Sequence, residues 1–301
     1  MARYCVLITL VLSLCGFALT APAQSSPGEA IPSSLTVLIT AVAKSPTGFR
    51  GQDVLVKVDS QPFQPAAALS PASAMPLDVI LVIDCSPSAS RSPLWRSEMQ
   101  AIPEFLSSLS RSTSQLRVGV VEFAERPALL QPLTADRAAA ISALQQLSPV
   151  HGGTALYDGM VNAVTGLQQS KRSATRRVIV VLSDGDDNQS HSSREAVIAA
   201  AQRESVVIFG ILPQPQNVGR GAGIMNDLTA ETGGTLFSPP GSKDMGRMFE
   251  SLASELGLQY FAKLPLPSSQ KAIHRLEWKS AVKSMEIHGA SAVVTPVAAQ
   301  P

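Results

Sequence analysis

Four short, β-branched, nearly continuous apolar runs separated by stretches of helical periodicity predict an α/β fold. The class is a doubly wound, mainly parallel sheet with helices on both faces, plus a small β-rich accessory region supplied by the flanks. The runs are "DVILVI" (78–83), "RVGVVEF" (117–123), "VIVVLS" (178–183) and "VVIFGIL" (206–212). A third observation concerns function: two of these runs end in aspartate within clusters of side-chain oxygen, "DCSPS" and "SDGDDN".

In chain order, residues 1–23 read as an export signal: Arg3, then the apolar "VLITLVLSLCGFALT", then small residues at Ala21 and Ala23. Cleavage near Ala23 places the product in the periplasm or outside the cell. Processing as a lipoprotein at Cys15 is disfavoured by the bulky Leu14 and by the apolar run continuing past it. No later segment has the roughly 20 unbroken apolar residues that span a bilayer. Cys5 and Cys15 leave with the signal, so Cys85 stands alone and no internal disulfide forms. Residues 24–69 read as a β-rich segment turning at "SPTG", and 70–77 as a Pro/Ala/Ser linker.

The main domain then covers 78–258. Between its strands, Ile102, Phe105, Leu106 and Leu109 recur at helical spacing, as do Leu156, Met160, Val164 and Leu167, and Met245, Met248, Phe249, Leu252 and Leu256. Ser192 with Glu195 three residues on predicts a capping box opening "REAVIAAAQRE". The Gly-rich "PQPQNVGRGAG" (213–223) reads as an adaptable contact loop. Residues 259–292 form a second β-rich segment in which Leu276 and Trp278 alternate with Arg275, Glu277 and Lys279, a sheet with one wet face. Residues 293–301 read as a disordered tail.

Composition excludes some functions. In 301 residues, 45% hydrophobic and 16% charged content supports a large core, and a net charge of +1 without basic blocks argues against a nucleic-acid partner.

In open sheets, loops at the carboxyl ends of the strands gather into one crevice where ligands bind. Asp84, Ser86 and Ser88 follow the first run, Asp184 follows the third, and Thr154 in "HGGTAL" precedes a helix. All five offer oxygen, the donor set of hard divalent cations. Taken singly, each piece is also an ordinary turn. Asp186 and Asp187 read as a solvated turn, Cys85 as a small core side chain, and Glu122 as a crevice or exposed residue. His151, His191, His274 and His288 lack two-histidine metal spacing, and no Ser/His/Asp triad emerges.

With "DCSPS", "GGTAL" and "LSDGDDN" in that order, and "RVGVVEFAERPALLQPLT" between them, the chain resembles the von Willebrand factor type A domain over about 78–258. The flank arrangement is similar to that of the exported acidobacterial members. The resemblance implies a metal-ion-dependent adhesion site, with Ser86, Ser88 and Thr154 ligating directly and Asp84 and Asp184 directly or through water. It implies Mg²⁺, or else Mn²⁺ or Ca²⁺, with an open position that takes a carboxylate from a protein partner. Pro87 and Ala89 depart from the family's usual glycine between the serines and methionine after them, and Pro87 stiffens the loop. On this reading the protein is a binding module and not an enzyme. Two alternatives remain: a metal-independent scaffold of the same fold, and a phosphatase-like hydrolase using Asp84, which lacks the second acid two residues on because Ser86 stands there.

Overall fold

The computed structural model describes residues 34–43, 49–92, 94–113, 115–149, 152–170, 172, 174–213, 220–265 and 271–295. The expectations for the signal, the "SPTG" turn, His151 and the tail beyond 295 lie outside these residues.

Four strands come first: β1 (Ser34–Ala43), β2 (Val54–Val58), β3 (Gln64–Pro65) and β4 (Ala68–Pro71). The main domain follows with β5 (Leu77–Asp84), α1 (Pro87–Ser90), α2 (Trp95–Ser112), β6 (Leu116–Phe123), β7 (Pro127–Thr134), α3 (Arg137–Gln145) and α4 (Leu156–Gln168). It continues with β8 (Arg176–Leu182), α5 (Arg194–Arg203), β9 (Val206–Ile211), α6 (Arg220–Thr232), β10 (Leu236–Phe237) and α7 (Met245–Gly257). The last strands are β11 (Gln259–Pro265), β12 (Ile273–Ser280), β13 (Met285–Gly289) and β14 (Ala292–Val294).

The central sheet has the order β10-β9-β8-β5-β6-β7, parallel except for the edge strand β7. Every residue of β5 is buried, as its continuous apolar sequence requires of a strand covered on both faces. Alternation sorts its side chains: Val79, Leu81 and Ile83 face α2, α3 and α7, whereas Ile80 and Val82 face α4, α5 and α6. Phe105 of α2 and Phe249 of α7 meet with ring centroids 5.2 Å apart. The doubly wound, mainly parallel expectation therefore holds. The strand order reverses around β5, so its carboxyl end opens onto the crevice.

The flanks make two antiparallel sheets, β13-β1-β11-β4 and β14-β12-β2-β3, and both sheets mix strands from the two ends of the chain. β1 pairs with β11 from Ser34↔Pro265 to Thr40↔Gln259, and β2 pairs with β12 from Val58↔Leu276 to Val54↔Ser280. Val37, Ile39, Val54, Val56, Ala262, Leu264 and Leu276 share one core between them. The accessory region is thus a sandwich, and since each flank contributes only two strands to either sheet, neither sheet forms without both ends of the chain. β12 keeps its charged residues outward and Leu276 inward, as the alternation predicts.

Several local expectations are corrected. Ser70 and Pro71, read as linker, end β4 and pair with β11. The N-cap of α5 is Ser193, whose hydroxyl accepts the Ala196 N–H at 3.2 Å; Ser192 instead gives its N–H to Asp158 Oδ1 at 2.9 Å. Residues 220–223 are the first turn of α6 and not loop, while 214–219 lie outside the described residues. Residues 292–294, partly assigned to the tail, form β14.

Candidate functional site

The site begins where β5 ends. Asp84 is 1% exposed. Its Oδ1 accepts the Ser86 N–H at 2.9 Å and its Oδ2 accepts the Ser183 hydroxyl at 2.7 Å. Ser86 is the N-cap of α1 and Pro87 occupies the first helical turn, where a missing N–H costs nothing and the fixed φ suits the helix. The proline that replaces the family's glycine therefore starts a short helix instead of disrupting the loop. Ser86 Oγ and Ser88 Oγ lie 3.1 Å apart, the former buried and the latter exposed.

Two other segments converge here. Thr154 is buried, with its N–H on Asn188 Oδ1 at 2.8 Å and its carbonyl accepting from Asn188 N and Gln189 N. Asp184 is buried after β8, its Oδ1 accepting the Asp186 N–H at 3.2 Å. Ser183 thus ties this segment to Asp84, and Asn188 ties it to Thr154. Gly185 has a φ of 84°, and a Cβ there would strike the Gly221 carbonyl, so the glycines let α6 close on the Asp184 backbone.

Electrostatics separate the two ends of β5. Asp78, also fully buried, takes a bidentate pair from Arg117 (2.9 and 2.5 Å), the Ser170 hydroxyl at 2.7 Å and Arg172 at 3.4 Å. Burial pushes its pKa up, but these donors outweigh burial and hold it below the usual carboxylate value. Asp84 has no Lys, Arg or His partner among the described residues. Burial, against the hydrogen bonds from Ser183 and Ser86 and reinforced by the charge of Asp184, pushes it up to about 6. Burial and the charge of Asp84 push Glu98 on α2 up to about 8, and its Oε1 has no partner. Cys85 is buried, its thiol pushed up to about 12 by burial and by Glu122 and Asp84, which fits its reading as an inert core side chain.

Other residues differ from expectation. Asp187 is not a solvated turn: it accepts the Tyr157 N–H at 3.1 Å and the Ser190 hydroxyl at 2.6 Å, binding the start of α4 to the loop after β8. Asp186 is exposed, as expected, and Glu122 is half-buried. Sequence reasoning missed Ser183, Asn188, Trp95, whose indole N–H reaches the Asp84 carbonyl at 3.3 Å, and Glu98. Glu98 had a signal: it falls on the buried stripe of Ile102, Phe105 and Leu109, where an acid is out of place.

Among the described residues no three of His, Cys, Asp and Glu are grouped to hold a metal ion. A cation here would rest on hydroxyl oxygens together with the two carboxylates. The donor set fits one: two buried acids without basic partners and two serine hydroxyls in register are what a hard cation complements.

The sheet order and the helices on both of its faces define an α/β domain of the doubly wound class. The von Willebrand factor type A domain family matches residues 78–245, and the chain belongs to it. Such domains are often protein-binding. An uncharacterized protein of Borreliella burgdorferi is 28% identical over 137 residues, 44% of this chain and 40% of that protein, so the chain spans well under half of that relative's length. Among solved structures, the mussel byssus proximal thread matrix protein 1, with a zinc-occupied metal-ion-dependent adhesion site, is similar at a TM-score of 0.50 and 21% identity, over 65% of this chain and 50% of that one. The von Willebrand domain of the Porphyromonas gingivalis type V pilus tip protein Mfa5 is similar at 0.50 and 13% identity, over 62% and 97%. At these identities the likeness is one of fold. The matches do not support the narrower likeness to the acidobacterial members. No helix among the described residues is long and apolar enough to cross a membrane.

Proposed function

We propose that this is an exported, adhesion-type binding module that holds a divalent cation, Mg²⁺ before Mn²⁺ or Ca²⁺, and uses it to capture an acidic group of a protein partner. The observation that carries the reading is the contrast along β5: the acid at one end is matched by two arginines, and the acid at the other, in the crevice, by no basic group among the described residues. A retained buried carboxylate without a basic partner calls for a cation. Ser86, Ser88 and Thr154 would supply hydroxyl oxygens and Asp84 and Asp184 the charge. The bound ion would supply Lewis acidity and an open position for an anionic ligand. The surrounding residues act by placement: Ser183 and the Ser86 N–H orient Asp84, Pro87 fixes the serine turn, and Asn188 holds Thr154 against the loop after β8. The zinc-occupied site named for the mussel protein lends support by fold. The phosphatase-like alternative wants its second acid two residues after Asp84, where this chain has Ser86.

The test is calorimetric titration of Mg²⁺ and of Mn²⁺ into the full chain, beside an Asp84→Ala/Ser86→Ala variant checked for folding. The expected result is saturable one-site binding, lost or weakened more than about 100-fold in the variant, which removes ligands and not only their supports. A wild-type chain that binds neither ion overturns the reading.

A further inference from the structure

Away from the cation site, Arg176 at the start of β8 is 2% exposed and has no carboxylate partner among the described residues. Its Nη1 donates to the Leu256 carbonyl at the end of α7 (2.6 Å) and to Gln259 Oε1 (3.2 Å). The partial negative charge at the end of α7 meets one nitrogen of the guanidinium and offsets only part of its charge. Burial lowers its pKa to about 10, and no neighbouring charge opposes this, so it stays ionised at neutral pH.

On these elements three buried polar atoms have no partner among the described residues: Arg176 Nε, Gln259 Nε2 and Thr40 Oγ1. Thr40 and Gln259 are register partners on β1 and β11, so their side chains share one face of that sheet. Both are at most 1% exposed. Two of the three atoms can only donate hydrogen bonds, and the hydroxyl can also donate. A set of donors around an uncompensated positive charge rejects a cation. A water molecule could accept from two of them but would leave the charge unmatched. A small anion seated among them would accept from these donors and supply the missing charge.

We propose that Arg176, Gln259 and Thr40 form a buried site for a small monovalent anion of the halide type, where the main sheet, the carboxyl end of α7 and the β13-β1-β11-β4 sheet meet. The occupant would bind the accessory sandwich to the last helix of the main domain, since Gln259 begins β11 directly after that helix. This site is independent of the cation site.

The experiment is thermal unfolding of the full chain, with EDTA, as potassium gluconate is replaced by potassium chloride at constant ionic strength. A saturable rise in Tm of about 2–4 °C is expected, as a ligand stabilising a chain of this size by about one hydrogen bond's worth would give. The rise disappears in Arg176→Gln. If that variant does not fold, Thr40→Val shifts the chloride midpoint upward about fivefold, as loss of one neutral hydrogen bond requires. Anomalous scattering from bromide-soaked crystals should place one ion beside Arg176 and Gln259. A Tm indifferent to chloride, an equal response in Thr40→Val, or bromide-free density at this point overturns the proposal.

Discussion

Replacing Glu98 by glutamine should make the cation-free protein more stable, by an amount that grows with pH. Glu98 is 1% exposed on α2, its Oε1 has no partner, and burial with the charge of Asp84 raises its pKa from 4.5 to about 8. A carboxyl with a raised folded-state pKa contributes its full stability below 4.5 and loses it as pH climbs toward 8. Over that window the unfolded chain has released the proton and the folded chain must keep it, at about 1.4 kcal/mol per pH unit. The penalty is under about 1 kcal/mol at pH 5, ~3 kcal/mol at pH 7 and levels near ~5 kcal/mol above pH 8. Glutamine has nearly the same shape and does not titrate, so Glu98→Gln removes the pH-dependent part. Urea unfolding of both proteins at several pH values with EDTA measures the gap. A gap that stays constant from pH 5 to pH 8.5, or a wild type more stable than the variant at pH 8, would refute the assignment of Glu98 as an unmatched buried acid.

At the opposite end of β5, Arg117→Met leaves Asp78 buried with one weaker arginine contact and should cost about 3–5 kcal/mol in urea unfolding, largely recovered in Arg117→Met/Asp78→Leu. A loss under about 1 kcal/mol would mean that Arg172 and Ser170 suffice. The Cys85 thiol, buried and raised to about 12, should resist a disulfide exchange reagent at pH 8 in the native protein and react promptly in urea; prompt native reaction would show that the loop opens.

Much of the main domain was legible because period and continuity are local properties. β5, β6, β8 and β9 appear within a residue or two of their apolar runs, and α4 and α7 follow their stripes closely. α3 and α6 were missed: the alanines of α3 give little contrast between its faces, and the glycines opening α6 read as loop until their close approach to the Asp184 backbone shows what they are for. The candidate site was legible in kind. Oxygens at strand ends and at a helix start named Asp84, Ser86, Ser88, Asp184 and Thr154, but the supports, Ser183, Asn188 and Asp187, act across gaps in sequence that no spacing rule reveals.

By itself the sequence determined the main strands and most of the helices between them, the mainly parallel class of the sheet and the oxygen chemistry of the strand ends, since these follow from backbone sterics, side-chain period and donor type. Only the tertiary structure decided which charges are compensated. Asp78 and Asp84 look alike as acids bounding one apolar strand, and Arg176 looks like any strand-opening arginine. Their difference lies in what the fold brings within hydrogen-bonding distance: arginines to Asp78, hydroxyls to Asp84, and for Arg176 a helix end and unpaired donors. Burial removes the water that would otherwise solvate each of these charges, and so the partner set by packing determines the chemistry each can do.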